Sequence, residues 1–162
     1  MLDDTEEALT RHAEAVATVR AFAERSGALR VVLLVDAGAE ATMLDCAPDG
    51  ALELTDAGRT FEIPAAARVD AAPRVLPELR PAPRTTLSID AETGELEAPL
   101  GAVANLARAV LELARAFGGR SVATADFATR DPELPFTIAA REGEPLVLAA
   151  GDRRFVLPQG VV

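Results

Sequence analysis

Two aspartates, Asp36 and Asp126, stand 90 residues apart, each at the end of a strand-like run: Arg30-Val-Val-Leu-Leu-Val-Asp36 and Arg120-Ser-Val-Ala-Thr-Ala-Asp126. Two carboxylates held in contact cannot both ionise, and the proton they share lets such a pair activate water for hydrolysis. A duplicated sequence folded about a twofold axis would supply that pairing. Little else in the chain has nucleophilic or general-base chemistry. His12 and Cys46 are the single histidine and the single cysteine, all sixteen basic residues are Arg, and Tyr and Trp are absent. Without lysine there is no P-loop lysine, no Schiff base and no lysine general base. Ser26, Ser88 and Ser121 lie in no nucleophile-elbow motif. His12 is expected as a boundary residue on the first helix, and Cys46 as a small core filler on a strand.

One His and one Cys cannot build a closed zinc site, so a metal would have to be held by carboxylates. Asp126, Asp131 and Glu133 form the best local acidic group and are the alternative cation site. Their spacing lacks the glycine and bidentate glutamate of a calcium loop, so loop capping is their expected role. The turn from Asp90 to Glu95 has the same status. No cofactor is expected.

The segment Leu33-Leu-Val-Asp-Ala-Gly-Ala-Glu-Ala-Thr-Met-Leu44 resembles the active-site segment of retroviral-type aspartic proteases. In that family apolar residues precede Asp-Thr/Ser-Gly-Ala and an acidic residue, followed by Thr and an apolar residue. The resemblance implies Asp36 as the catalytic aspartate, with Asp126 as its partner from the second copy. Ala37 stands at the position of that family's bracing hydroxyl, and the second copy reads Ala125-Asp-Phe-Ala128.

The elements that must position these residues follow from periodicity. A helix is expected from about Asp4 to Arg25, with acidic residues in its first turn, an apolar stripe at Leu9, Ala13, Val16, Val19 and Ala23, and Gly27 as its stop. Leu29 to Val35 reads as a central strand covered on both faces. Strands Ala41 to Ala47, Ala51 to Thr55 and Arg59 to Ile63 follow, separated by the turns Pro48-Asp-Gly50 and Asp56-Ala-Gly58. Thr85 to Asp90 and Glu95 to Ala98 read as a hairpin. A second helix, Leu100 to Phe117, carries Val103, Leu106, Val110, Leu113 and Phe117 at alternating spacings of three and four. Four strands follow again: Arg120 to Ala125, Phe136 to Arg141, Pro145 to Ala149 and Arg153 to Leu157.

The halves match further on. Ala51-Leu-Glu-Leu aligns with Pro145-Leu-Val-Leu, and Arg59-Thr-Phe-Glu-Ile-Pro64 with Arg153-Arg-Phe-Val-Leu-Pro158, at a shift of 94. The expected fold is therefore α+β: two helix-plus-antiparallel-strand repeats packed with pseudo-twofold symmetry and joined by a Pro-rich strap. Residues 1–64 form the first repeat, 65–84 the strap, and 85–162 the hairpin and second repeat, in one compact unit.

Composition narrows the function. A formal charge of −10 disfavours binding to a phosphate backbone. The acidic N-terminal residues lack the pattern of a signal peptide, no apolar run is long enough to span a bilayer, and one cysteine allows no intrachain disulfide. A cytoplasmic location without membrane or nucleic-acid binding is expected. With few catalytic groups, the expected function is a non-enzymatic protein-interaction or small-ligand-binding module that self-associates, a homodimer by sheet extension covering its edge strands. Its partners are itself or another protein. The alternatives are an acid-pair hydrolase using Asp36 and Asp126, and the carboxylate cation site.

Overall fold

A computed structural model of the chain describes residues 4–37, 40–74, 88–89, 96–97, 100–117, 121–128, 135–141, 144–150 and 153–156. It is an α+β arrangement with three helices, α1 (Asp4–Arg11), α2 (Ala13–Ser26) and α3 (Leu100–Ala116). Where a single helix is expected over 4–25, the chain breaks at His12, whose φ of −110° and ψ of 22° leave the helical region. Hydrogen bonds from His12 N–H to Ala8 O and from Val16 N–H to His12 O carry the helical ladder past the break. Helix α2 stops at Gly27, whose φ of 71° is the left-handed cap that a residue without Cβ adopts most cheaply.

The chain then forms a meander of strands β1 (Arg30–Ala37), β2 (Glu40–Cys46), β3 (Leu52–Asp56) and β4 (Arg59–Ile63), each antiparallel to the one before. A short separate pair, β5 (Ser88–Ile89) and β6 (Leu96–Glu97), falls inside the expected hairpin. After α3 comes a second meander, β7 (Val122–Ala128), β8 (Pro135–Arg141), β9 (Val147–Ala150) and β10 (Arg153–Val156). Antiparallel pairing of β1 with β7 joins the meanders into one eight-stranded sheet, ordered β10-β9-β8-β7-β1-β2-β3-β4.

Alternate residues of each strand point to the helices, as a period of two requires. Val31 and Leu33 of β1, Leu44 and Cys46 of β2, and Leu52 and Leu54 of β3 are buried, as are Ala123, Ala125, Ile138 and Leu148 in the second meander. They meet Val16, Val19 and Phe22 of α2 and Val110 and Leu113 of α3 in one core. Helix α2 packs on β1 and β2, α3 on β7 and β8, and α1 against β4. Among the described residues, the expected cover of β1 is present on one face. Its outward residues Val32 and Leu34 are half-buried, and no described helix packs on their side.

Residues 64–74 run beside α2 without forming a strand. Arg20 of α2 gathers them, donating from Nε to Gly50 O at 3.0 Å, from Nη1 to Ala67 O at 2.8 Å and from Nη2 to Pro64 O at 2.8 Å. The Arg74 N–H donates to Thr18 Oγ1 at 3.0 Å. The rest of the expected strap, 75–84, lies outside the described residues. Among the described residues, no helix is long and apolar enough to cross a membrane.

Candidate functional site

The β1–β7 ladder sets Asp126 opposite Arg30, whereas Asp36 lies six residues further along β1, opposite Ala41 of β2. At about 3.3 Å per residue the two aspartate backbones are about 20 Å apart. An acid pair sharing a proton needs near contact, so one chain does not bring Asp36 and Asp126 together as a dyad. Asp126 instead accepts a hydrogen bond from Thr137 Oγ1 at 2.6 Å, its cross-strand neighbour on β8. Asp131 and Glu133 lie outside the described residues. Among the described residues, no group of three His, Cys, Asp or Glu could hold a metal ion. Cys46 is fully buried, and that burial pushes its thiol pKa up.

Asp56, which the sequence presents only as a turn residue, is the hub of a polar cluster. Asp56, 8% exposed at the end of β3, accepts a hydrogen bond from Arg11 Nη1 at 2.8 Å. Its Oδ2 lies 3.1 Å from His12 Nε2, and Thr42 Oγ1 donates to its Oδ1 at 3.5 Å. The His12 hydrogen bond, opposed by desolvation and reinforced by the charges of His12 and Arg11, holds the Asp56 carboxyl below the usual carboxylate range. His12 sits at the break between α1 and α2, so this carboxylate ties the helix junction to the sheet.

A cleft of about 300 Å³ opens beside it, lined by His12, Thr42, Val35, Arg74 and Phe117 among others. The charges there are matched within the fold. Arg11 pairs with Asp56, and Arg74 pairs with Glu14 while its guanidinium stacks 4.6 Å from the Phe117 ring centre. Among the described residues, no buried side-chain polar atom lacks a hydrogen-bond partner. The cluster reads as a structural latch.

The face of the sheet away from the helices is different. Ladder registers fix which outward residues stand side by side, and one row crosses the whole sheet. On one arm Glu62 of β4 stands opposite Glu53 of β3, which stands opposite Asp45 of β2, which stands opposite Val32 of β1. On the other arm Thr124 of β7, opposite Val32, leads to Ala139, Val147 and Val156. One arm is acidic and the other is apolar.

Arg30 Nε donates to Asp45 Oδ1 at 2.8 Å and neutralises that acid. Glu53 and Glu62 face each other as a like-charge cross-strand pair, an arrangement that destabilises a sheet. With Asp45 they wall a groove of about 510 Å³ whose other sides include Ala47, Ala51 and Pro64. The apolar arm ends at Val156, 66% exposed. It is flanked by Arg141, opposite Val122, and by Arg154, opposite Ala149.

No protein-family model matches the chain, and neither does any curated protein or solved structure. The functional reading therefore rests on geometry.

Proposed function

We propose that the chain is a non-enzymatic protein-binding module, made by duplicating a helix-and-meander unit, whose binding surface is the open face of the eight-stranded sheet. The carrying observation is the face itself. The helices pack on one side, while half-buried Val32, Leu34, Met43, Val122 and Val147 and exposed Val156 remain on the other. A layered fold gains stability by covering such a surface, and an apolar patch rimmed by charge marks an interaction site. The acidic row disfavours nucleic acid as the occupant.

Burial supports the duplication. Adding 91 to Val16, Thr18, Val19, Phe22 and Ala23 of α2 gives Ala107, Ala109, Val110, Leu113 and Ala114 of α3, and all ten are buried. Adding 94 to Thr42, Leu44, Cys46, Leu52 and Leu54 gives Phe136, Ile138, Ala140, Leu146 and Leu148, again all buried. For the first strand the shift is 92: Val31 pairs with Cys46, Cys46 maps to Ala140, and Ala140 pairs with Ala123. On this reading Asp36 corresponds to Ala128 and Asp126 to Leu34, and the pseudo-twofold passes between Val32 and Thr124, which face each other.

Sedimentation velocity in the presence of the hydrophobic dye ANS tests the binding face. Either the face is covered, and the particle is heavier than one chain of 16.9 kDa, or it is open and takes up the dye. The double variant Leu34→Glu, Val147→Glu is expected to abolish whichever behaviour is seen. A single-chain particle that takes up no dye overturns the proposal.

A further inference from the structure

We infer that the occupant of the open face is a second copy of this chain, packed face to face about a twofold axis parallel to the strands, with Arg154 of each copy entering the acidic groove of the other. The inference rests on the binding face proposed above and names its partner.

Charge sets the arrangement. Among the described side chains, the outward charged residues on β1–β4 are Arg30, Asp45, Glu53 and Glu62, a net −2. On β7–β10 they are Asp126, Arg141 and Arg154, a net +1. A twofold axis along the strands lays β4 of one copy over β10 of the other, so the acidic arm meets the apolar, Arg-flanked arm. A twofold axis across the strands would instead stack Glu53 and Glu62 on their own counterparts, and like charges across an interface are unfavourable.

In the favoured arrangement Val156 of the second copy lies over Glu62. Arg154, two residues away on the same face, comes over the groove between Glu62 and Pro64. The like-charged Glu53–Glu62 pair, which within its own sheet feels Arg30, then gains a second cation on the groove side.

Size agrees with this occupant. Eight strands at about 4.8 Å spacing and three outward rows about 6.7 Å apart give roughly 38 by 20 Å, or about 760 Å² per copy. A standard stable interface covers about 800 Å² per partner. Two such sheets pack about 10 Å apart with their strands within about 30° of each other. The net charge of −10 on each copy opposes association. At physiological ionic strength the Debye length of about 8 Å screens that spread-out repulsion more than it screens a contact in the groove.

Charge exchange tests the inference on the full chain. Sedimentation velocity is expected to show a closed dimer. Glu62→Arg alone and Arg154→Glu alone should each weaken it about tenfold or more, and the double variant should restore it to within about threefold. Both residues are exposed, so neither substitution threatens the fold. They stand on the two opposite edge strands of one sheet, seven strand spacings or about 34 Å apart, so the rescue can arise only between copies. Leu34→Glu, in the middle of the face, should abolish the dimer.

Particles that grow beyond two copies, with the rescue intact and Leu34→Glu harmless, would mean that β4 and β10 pair edge to edge, which overturns face packing. A single-chain particle that takes up ANS through this face overturns the second copy and leaves the binding module standing. A single-chain particle without dye uptake overturns both.

Discussion

Asp56→Asn separates a structural latch from a decorative ion pair. The substitution keeps the size and one acceptor oxygen of Asp56 while removing its charge. The His12 contact involves side chains 20% and 10% exposed, and a hydrogen bond to a charged group in such a setting contributes about 1.5–3 kcal/mol. Arg11 is 58% exposed, so solvent screening should leave its share at about 0.5 kcal/mol or less. Thr42, at 3.5 Å, adds little. The expected loss is about 2 kcal/mol, a fall in melting temperature of about 4–8 °C for a chain of this size.

Double-mutant cycles should assign most of that loss to His12. Coupling of Asp56→Asn with His12→Ala should exceed about 1 kcal/mol, and coupling with Arg11→Ala should stay under about 0.5 kcal/mol. The sign with pH follows from the lowered carboxyl pKa. The contribution is fully present above the unfolded value of about 3.9 and is lost as pH falls through the lower folded value. The stability gap between wild type and Asp56→Asn should therefore close as pH drops below about 4. A gap that stays unchanged at the lowest pH where the chain still folds, or a cycle that assigns the loss to Arg11, refutes the latch.

Three further outcomes are expected. Arg20→Gln removes the donors that hold three carbonyl oxygens; it should cost about 1–3 kcal/mol and speed tryptic cleavage after exposed Arg68, read by mass spectrometry. Cys46, fully buried with its thiol pKa raised, should react with a thiol reagent only as fast as the chain unfolds, so a fast stoichiometric reaction in native buffer would contradict its placement. Gly27→Ala meets no atom within 4 Å at a φ of 71°. Its cost in chemical denaturation should be the left-handed backbone penalty alone, about 1 kcal/mol.

The two periods of the chain, near four for the helices and two for the strands, made the α+β class and the paired meanders legible. Cys46 reads as core because it alternates with Leu44 along β2, and it is fully buried. The break at His12 is not legible, because no glycine or proline marks it. Its partner Asp56 comes 44 residues later, inside an Asp-Ala-Gly sequence that locally says only turn. The acidic and apolar arms of the open face were hidden for a related reason. Sequence alternation tells which way Glu53 or Val147 points, but which residue stands beside it depends on ladder registers that involve other strands.

The separation of about 20 Å between Asp36 and Asp126 follows from how the two halves are registered. Aligning Asp36 with Asp126 requires a shift of 90, whereas the proposed duplication with the observed ladders requires 92. A register shift of one turns every inward residue outward and would put Val31 and Leu33 in solvent. An error of two preserves the alternation. Shifted by 90, Leu33 still falls on buried Ala123 and Leu34 still falls on half-exposed Thr124. Hydrophobic pattern is blind to even slips, so the identity of Asp36 and Asp126 does not by itself distinguish a shift of 90 from one of 92. The neighbouring strands remove that freedom. Within the proposed duplication, Cys46 matches Ala140 by a shift shared with Leu52, Leu54 and Phe61, and the pairing of β1 with β2 and of β7 with β8 carries that shift to β1, where Asp126 would then correspond to Leu34 of the open face.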